Sequence, residues 1–249
     1  MKKNDNILEA LIDKLIDMGL PLMASSLEEI YQSDKFTKED HLTFLSDLLD
    51  SEYQDKMSKR LNNRLLKANL KNCPEELDKC TNSVQREYLP TGIVTRLSDL
   101  SFIKNGMNVC ILGASDSGKT FLAKAVGIKA CLHYTVLYTH CGTYLESLSA
   151  LKQSDHEKYS KALKRLRKLD LLILDDFLLH TVSDEDEVKI LFTILECRAE
   201  ARKSTIVCSQ RDPNSWKSMI MNDEVSSDAI KKRATKHYTI AINYTSEPN

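Results

Sequence analysis

The chain has 249 residues, 42% of them apolar and 29% charged, and a net charge of −1. That length suits one α/β domain of roughly 150–200 residues plus an appendage, and the balanced charge excludes a globally basic surface, so any basic face must be local. No apolar run approaches the roughly 20 residues that span a bilayer, the start Met1-Lys2-Lys3-Asn4-Asp5 has no signal-peptide core, and seven scattered cysteines make neither a disulfide framework nor a zinc pair; a cytoplasmic protein with reduced thiols and no membrane partner is expected.

Residues 5–71 read as helical. Ile7, Leu8, Leu11, Leu15 and Met18 recur at helical spacing until Gly19-Leu20-Pro21 breaks the pattern, and Met23, Leu27 and Ile30 continue it on a second helix. Thr37 and Asp40 form an N-cap pair before a longer helix through Leu42, Leu45, Leu48, Leu49 and Met57. Its far end, Lys56 to Lys67, is rich in basic residues and has no acidic one. Charge alone reads that stretch as a solvated helical face. Between 72 and 92, with Pro74 and Pro90, the pattern weakens to a linker. The expected division is therefore a helical domain over 1–72, a linker over 73–92 and an α/β domain over 93–249.

Beyond the linker, short apolar runs alternate with helical ones. Asn108–Leu112, Thr135–Tyr138, Leu171–Leu174, Ser204–Ser209 and His237–Ile242 read as strands. Lys119–His133, a region carrying Leu145, Leu148 and Leu151, a basic stretch Lys161–Lys168, and Asp186–Lys203 occupy the intervals, the first, second and last as helices. Alternation of this kind predicts a parallel sheet covered on both faces.

The chemistry concentrates at strand ends. Gly113-Ala114-Ser115-Asp116-Ser117-Gly118-Lys119-Thr120 follows a predicted strand and opens a predicted helix, the setting a phosphate-binding loop requires. Glycines let successive N–H groups turn inward on phosphate oxygens, and the helix adds its positive N-terminal end. The expected ligand is ATP with Mg²⁺: Lys119 reaches the β- and γ-phosphates, the Thr120 hydroxyl ligates the ion, and the cradle runs from Gly113 to Phe121. Asp116 is expected at the solvent-facing apex, where Asp tolerates left-handed backbone.

Leu171–Leu174 followed by Asp175-Asp176 is a buried strand ending in two carboxylates beside that loop. Asp175 is expected to hold Mg²⁺ and Asp176 to orient and deprotonate the attacking water. Ser204–Ser209 ends in Gln210, which either hydrogen-bonds the γ-phosphate or the water, or is a surface glutamine. The six histidines show no metal-ligand spacing, and none is expected to be catalytic.

With these elements in order, the chain resembles the IstB family, helper ATPases of bacterial insertion sequences related to DnaC and DnaA within the AAA+ class. The likeness covers nearly the whole chain. It rests on Asn108–Gly113 before the loop, Lys119-Thr120-Phe121-Leu122-Ala123 after it, Leu171–Phe177, Ser204–Val207 with Ser209-Gln210 and Trp216, and Asp228-Ala229-Ile230 followed by Arg233. It implies a P-loop NTPase fold of AAA+ type, Mg-dependent ATPase activity, ATP-promoted homo-oligomers on double-stranded DNA with little base specificity, and a partner transposase. It further implies that Arg233 is an arginine finger acting on a neighbouring subunit, and that Lys56, Lys59, Arg60, Arg64 and Lys67 meet DNA phosphates. A DnaC-like helicase loader and a nucleotide-gated DNA scaffold without hydrolysis stand as alternatives. Two departures mark this chain: Asp116 stands where relatives often have glycine, and the family's usual tail is replaced by Asn243–Asn249.

Overall fold

The computed structural model describes residues 2–33, 40–220 and 224–245. They divide into two compact units, Met1–Asn63 and Arg64–Asn249. The expected cap residue Thr37 and the end of the tail, 246–249, lie outside the described residues.

The first unit is helical: α1 (Lys2–Asp17), α2 (Pro21–Gln32) and most of α3 (His41–Lys67), in which the unit boundary falls. Its apolar interior is small, with Ala24, Leu27, Ile30 and Leu48 buried. Polar caps supplement it. Asp40 caps α3, accepting from the backbone N–H of Leu42 at 2.9 Å and of Thr43 at 3.2 Å. The buried carboxylate of Glu52 accepts from the backbone N–H of Leu22 and Met23, satisfying free donors at the start of α2.

The second unit carries a six-stranded sheet. In chain order it comprises β1 (Arg86–Leu89), α4 (Ile93–Ser98), α5 (Ser101–Lys104), β2 (Val109–Gly113), α6 (Lys119–Ala130), β3 (Val136–His140), α7 (Cys141–Ser154), α8 (His156–Lys168), β4 (Leu171–Asp175), α9 (Glu185–Glu200), β5 (Ser204–Ser209), α10 (Trp216–Met219), α11 (Glu224–Ala234) and β6 (Tyr238–Tyr244). The sheet order is β1-β6-β2-β5-β4-β3, parallel throughout except for β1, which pairs antiparallel with β6. The fold is thus α/β with a largely parallel sheet flanked by helices, as the alternating pattern predicted. Strands β4 and β5 are buried at every position, which explains their unbroken apolar reading.

The stretch 73–92, expected as linker, contains a single 3₁₀ turn (Leu77–Lys79) and the edge strand β1. A four-residue strand with only Tyr88 buried has too few turns of alternation to register as a pattern.

One buried cation pins the helical layer to the sheet. Arg198 of α9 is 1% exposed and donates to the carbonyl oxygens of Leu166, Leu169 and Ser204 and to the Thr205 hydroxyl. Burial lowers its guanidinium to about 10, so it stays charged at neutral pH. It closes the C-terminal end of α8 where the chain turns into β4. Replacing Arg198 by Leu strands these acceptors, each at about 1–3 kcal/mol. Urea denaturation should show a loss of at least about 3 kcal/mol, and a change below about 1 kcal/mol would refute the pinning role.

Candidate nucleotide-binding site

Strand β2 delivers the loop and α6 receives it. Gly113 closes β2, Asp116 takes a left-handed φ of 59° at the exposed apex, and Gly118 takes φ 99° just before Lys119 opens α6. A Cβ on Gly113 would stand 2.5 Å from Ser117 Oγ and 2.9 Å from the carbonyl oxygen of Ile242. Only a residue without a side chain lets loop and strand approach this closely. Ser117 is fully buried beneath the loop, and its Oγ has no hydrogen-bond partner among the described residues.

Lys119 is 7% exposed, and its Nζ donates to the carbonyl of Ala114 at 2.6 Å, folding back over the loop. Burial lowers its pKa, while neighbouring acidic groups, Asp175, Asp176 and Asp116 among them, oppose the shift. The Thr120 hydroxyl donates to Asp175 Oδ2 at 2.8 Å. The Tyr138 hydroxyl donates to the same oxygen at 2.7 Å, and burial followed by that carboxylate raises the phenol's pKa. Asp175 is 1% exposed, and its other oxygen accepts from the backbone N–H of Asp176 at 3.0 Å. A buried carboxylate beside a loop hydroxyl is a donor set that suits a divalent ion, with Thr120 and Asp175 as the residues to hold it.

Asp176 adopts φ 51°, a left-handed conformation that costs a non-glycine residue about 1–3 kcal/mol. The turn that holds it is anchored by the Phe177 N–H on the Cys208 carbonyl at 2.7 Å, and its carboxylate lies 2.9 Å from His140 Nδ1. Gln210 is exposed and follows Ser209, which pairs with Leu112 at the end of β2. Strand β5 therefore lies between β2 and β4, the placement under which Gln210 borders the loop.

Arg233 sits elsewhere. Its carbonyl accepts from Asn108, the residue before β2, so it lies at the other end of the sheet from the loop. Five residues of strand, roughly 16 Å, separate the two levels. Its guanidinium pairs with Glu196, stacks 5.0 Å from the Phe192 ring centroid and donates to the Ala229 carbonyl at 3.0 Å. It borders a cleft of about 590 Å³ that Arg202, Lys232 and Lys236 also line.

The basic residues of α3 are unevenly engaged. Lys56 pairs with Glu52 at 3.5 Å and Lys59 with Asp55 at 2.7 Å. Arg64 donates to the carbonyls of Cys131 and Leu132 past the end of α6, whereas Arg60 and Lys67 are exposed.

Tyr138 and His140 carried no signal in the sequence, because both meet their carboxylates only through β3–β4 pairing. Beside α6, a cleft of about 460 Å³ is lined by Leu77, Cys80, Asn82, Tyr88, Ile93 and Thr95, among others.

A phosphate-binding loop at the carboxyl end of β2, a paired carboxylate at the end of β4 and the intervening β5 define a P-loop nucleotide-binding domain of AAA+ type. Solved structures share the fold: a DnaA replication initiator bound to AMPPCP and single-stranded DNA (TM-score 0.56, 18% identity, 70% of this chain and 51% of that one) and the DnaC helicase loader (TM-score 0.55, 18% identity, 69% and 98%). This chain thus spans about half of the DnaA chain. Among sequences, an insertion sequence ATP-binding protein of Sinorhizobium fredii is 32% identical over 225 residues, covering 89% of this chain and 88% of the relative. The insertion sequence IS1162 ATP-binding protein of Pseudomonas fluorescens is 31% identical over 206 residues, covering 80% and 84%. The profile of the IstB-like ATP binding protein family matches residues 13–246, and this chain belongs to that family.

Substituting Gly113 by Ala should weaken ATP binding at least roughly tenfold and cost about 1–3 kcal/mol of stability through overpacking. Calorimetric titration and thermal unfolding measure both, and wild-type affinity would show that the Gly113–Ser117 approach is not required.

Proposed function

We propose that this protein is a cytoplasmic, Mg-dependent ATPase that oligomerises on double-stranded DNA and assists a transposase in moving an insertion sequence. The observation that carries the ATPase reading is the Thr120–Asp175 hydrogen bond, with buried Lys119 between the loop and the strand-end carboxylates. Bound Mg²⁺ would neutralise phosphate charge and orient the triphosphate. Asp176 then takes a proton from water as its oxygen bonds to the γ-phosphorus and the bond to the β-phosphate bridging oxygen breaks. His140 at 2.9 Å orients that carboxylate. Gln210 borders the γ-phosphate end, and the base enters the cleft bounded by Tyr88 and Ile93.

Arg233 lies a strand's length from its own loop, so it can serve only a neighbour's nucleotide. This supports head-to-tail assembly with Arg233 as a finger in trans. An exposed apolar row in the first unit, Leu42, Leu45, Leu49 and Tyr53, keeps to one helical face and gives further contact surface for oligomers. The first unit's Lys56, Lys59 and Arg60 remain proposed DNA contacts, together with Arg64 and Lys67. The α/β unit supplies a stronger candidate in α8. Lys161, Lys164, Arg165 and Lys168 recur at i, i+3, i+4 and i+7 and line one groove of about 410 Å³. Lys161 pairs with Glu157, whereas the other three have no ion pair among the described residues. No aromatic side chain lines this groove, which favours phosphate contacts over base stacking.

Asp176→Asn should keep ATP affinity while turnover falls at least ~100-fold, and Lys119→Ala should lose productive binding. Arg233→Ala and Lys119→Ala, each inactive alone, should regain activity when mixed, because one intact loop then meets one intact finger. No regain in a phosphate-release assay on DNA would refute the trans role, and normal turnover by Asp176→Asn would refute the base assignment. Separately, Lys164→Gln with Lys168→Gln should reduce the slope of log affinity for duplex DNA against log salt by roughly 2. An unchanged slope would remove α8 from the DNA interface.

A further inference from the structure

The edge strand β1 brings one cation to the phosphate loop that the family likeness does not supply. Arg86 opens β1 and pairs in register with Tyr244 of β6. Its backbone is fixed by Ser83, whose N–H donates to the Arg86 carbonyl at 2.7 Å and whose Oγ accepts from the Arg86 N–H at 3.1 Å. The guanidinium stacks over the Tyr244 ring, 5.3 Å from its centroid, and reaches the loop. A Cβ on Gly118 would stand 3.2 Å from Arg86 Nε and 3.3 Å from its Cζ. The guanidinium therefore lies against the residue that immediately precedes Lys119.

The neutral Tyr88 hydroxyl hydrogen-bonds the Arg86 side chain, but no anion pairs with it among the described residues. The Arg86 Nε is buried without a hydrogen-bond partner. The adjacent Tyr88 and Cys80 offer no counter-charge, since burial pushes the Tyr88 phenol up to about 12 and raises the Cys80 thiol. Stacking on Tyr244 places the group, but it does not satisfy Nε. A guanidinium whose Nε is buried without a partner keeps a donor to spare, and its planar fork matches phosphate oxygens.

We infer that Arg86 is a nucleotide-binding residue acting in cis, clamping the phosphate chain of a nucleoside di- or triphosphate from the side opposite the loop's backbone. The inference rests on the nucleotide reading above and deepens it. It also gives β1 a role: the strand fixes Arg86 relative to Gly118, and Tyr244 couples the clamp to the last strand.

Two measurements test it. In calorimetric titrations with ADP and with ATP in Mg²⁺, Arg86→Gln should bind about 10- to 100-fold more weakly than wild type, and Arg86→Lys should fall between them. The unfolding midpoint of nucleotide-free Arg86→Gln should match wild type. In the wild-type protein, saturating ADP should slow modification of Arg86 by phenylglyoxal, followed by peptide mapping, whereas adenosine should not. Wild-type affinity in Arg86→Gln overturns the inference, as does tighter binding, which would mean that the guanidinium obstructs the nucleotide. Unaltered Arg86 modification under ADP overturns it too, and remains decisive if the variants do not fold. Wild-type protein that binds neither ADP nor ATP overturns the nucleotide reading itself.

Discussion

The buried carboxylate of Asp175 is the constraint around which the α/β unit is organised. It is 1% exposed and makes no salt bridge within 4 Å among the described residues, although Lys119 lies near enough to interact with it electrostatically. Instead it accepts from Thr120, Tyr138 and the backbone of Asp176, so it joins α6, β3 and the turn after β4 at one point. Charge-assisted hydrogen bonds of this kind are stronger than neutral ones, which makes the relative position of loop and strand end a consequence of local chemistry. On the proposed function, a divalent cation would be held there by the Thr120 hydroxyl and the Asp175 carboxylate.

The residue that follows is held in a less comfortable state. Asp176 has a left-handed backbone, and Leu178 two residues on has φ 52°, so two side-chain-bearing residues in one turn occupy a region that favours glycine. The turn persists because its neighbours over-determine it: Phe177 is fully buried against Trp216, ring centroids 5.0 Å apart, and Ser209 Oγ donates to the Phe177 carbonyl at 2.8 Å. Packing free energy is thereby converted into an outward-facing carboxylate. His140 meets it from β3 and limits its rotation.

What the sequence made legible follows from range. The loop and the β4 strand end are written in contiguous residues, as apolar runs ending in Gly or Asp, whereas the place of β5 between β2 and β4 is set by long-range pairing. Strand β1 was not legible, because four residues with one buried side chain show no period. Tyr138 meets Asp175 across 37 residues, and Arg86 meets Gly118 only through pairing with β6, so no local pattern announces either. The basic run of α3 was conspicuous as composition, yet Lys56, Lys59 and Arg64 each have a partner within the chain. The run on α8 was equally visible, and burial of Tyr159 and Leu166 on the opposite side of the helix leaves its basic stripe facing outward.

The polarity of a parallel sheet then separates the functions. Every strand from β2 to β6 runs the same way, so the loop, Asp175, Asp176 and Gln210 gather at carboxyl ends, while Arg233 and the groove at Thr135 and Leu169 gather at amino ends. On the proposed function, a single unit would present a phosphate-receiving end and a cationic end a strand's length apart. The proposed head-to-tail assembly would join unlike ends, each junction burying one face of each kind. Under the proposed function, anion and cation complementarity would make assembly depend on the nucleotide, since the triphosphate supplies the charge that Arg233 meets after leaving Glu196. On that proposal the Glu196 pair would set a threshold: Arg233 would exchange one carboxylate for a neighbour's phosphate, and only a more highly charged ligand would favour that exchange.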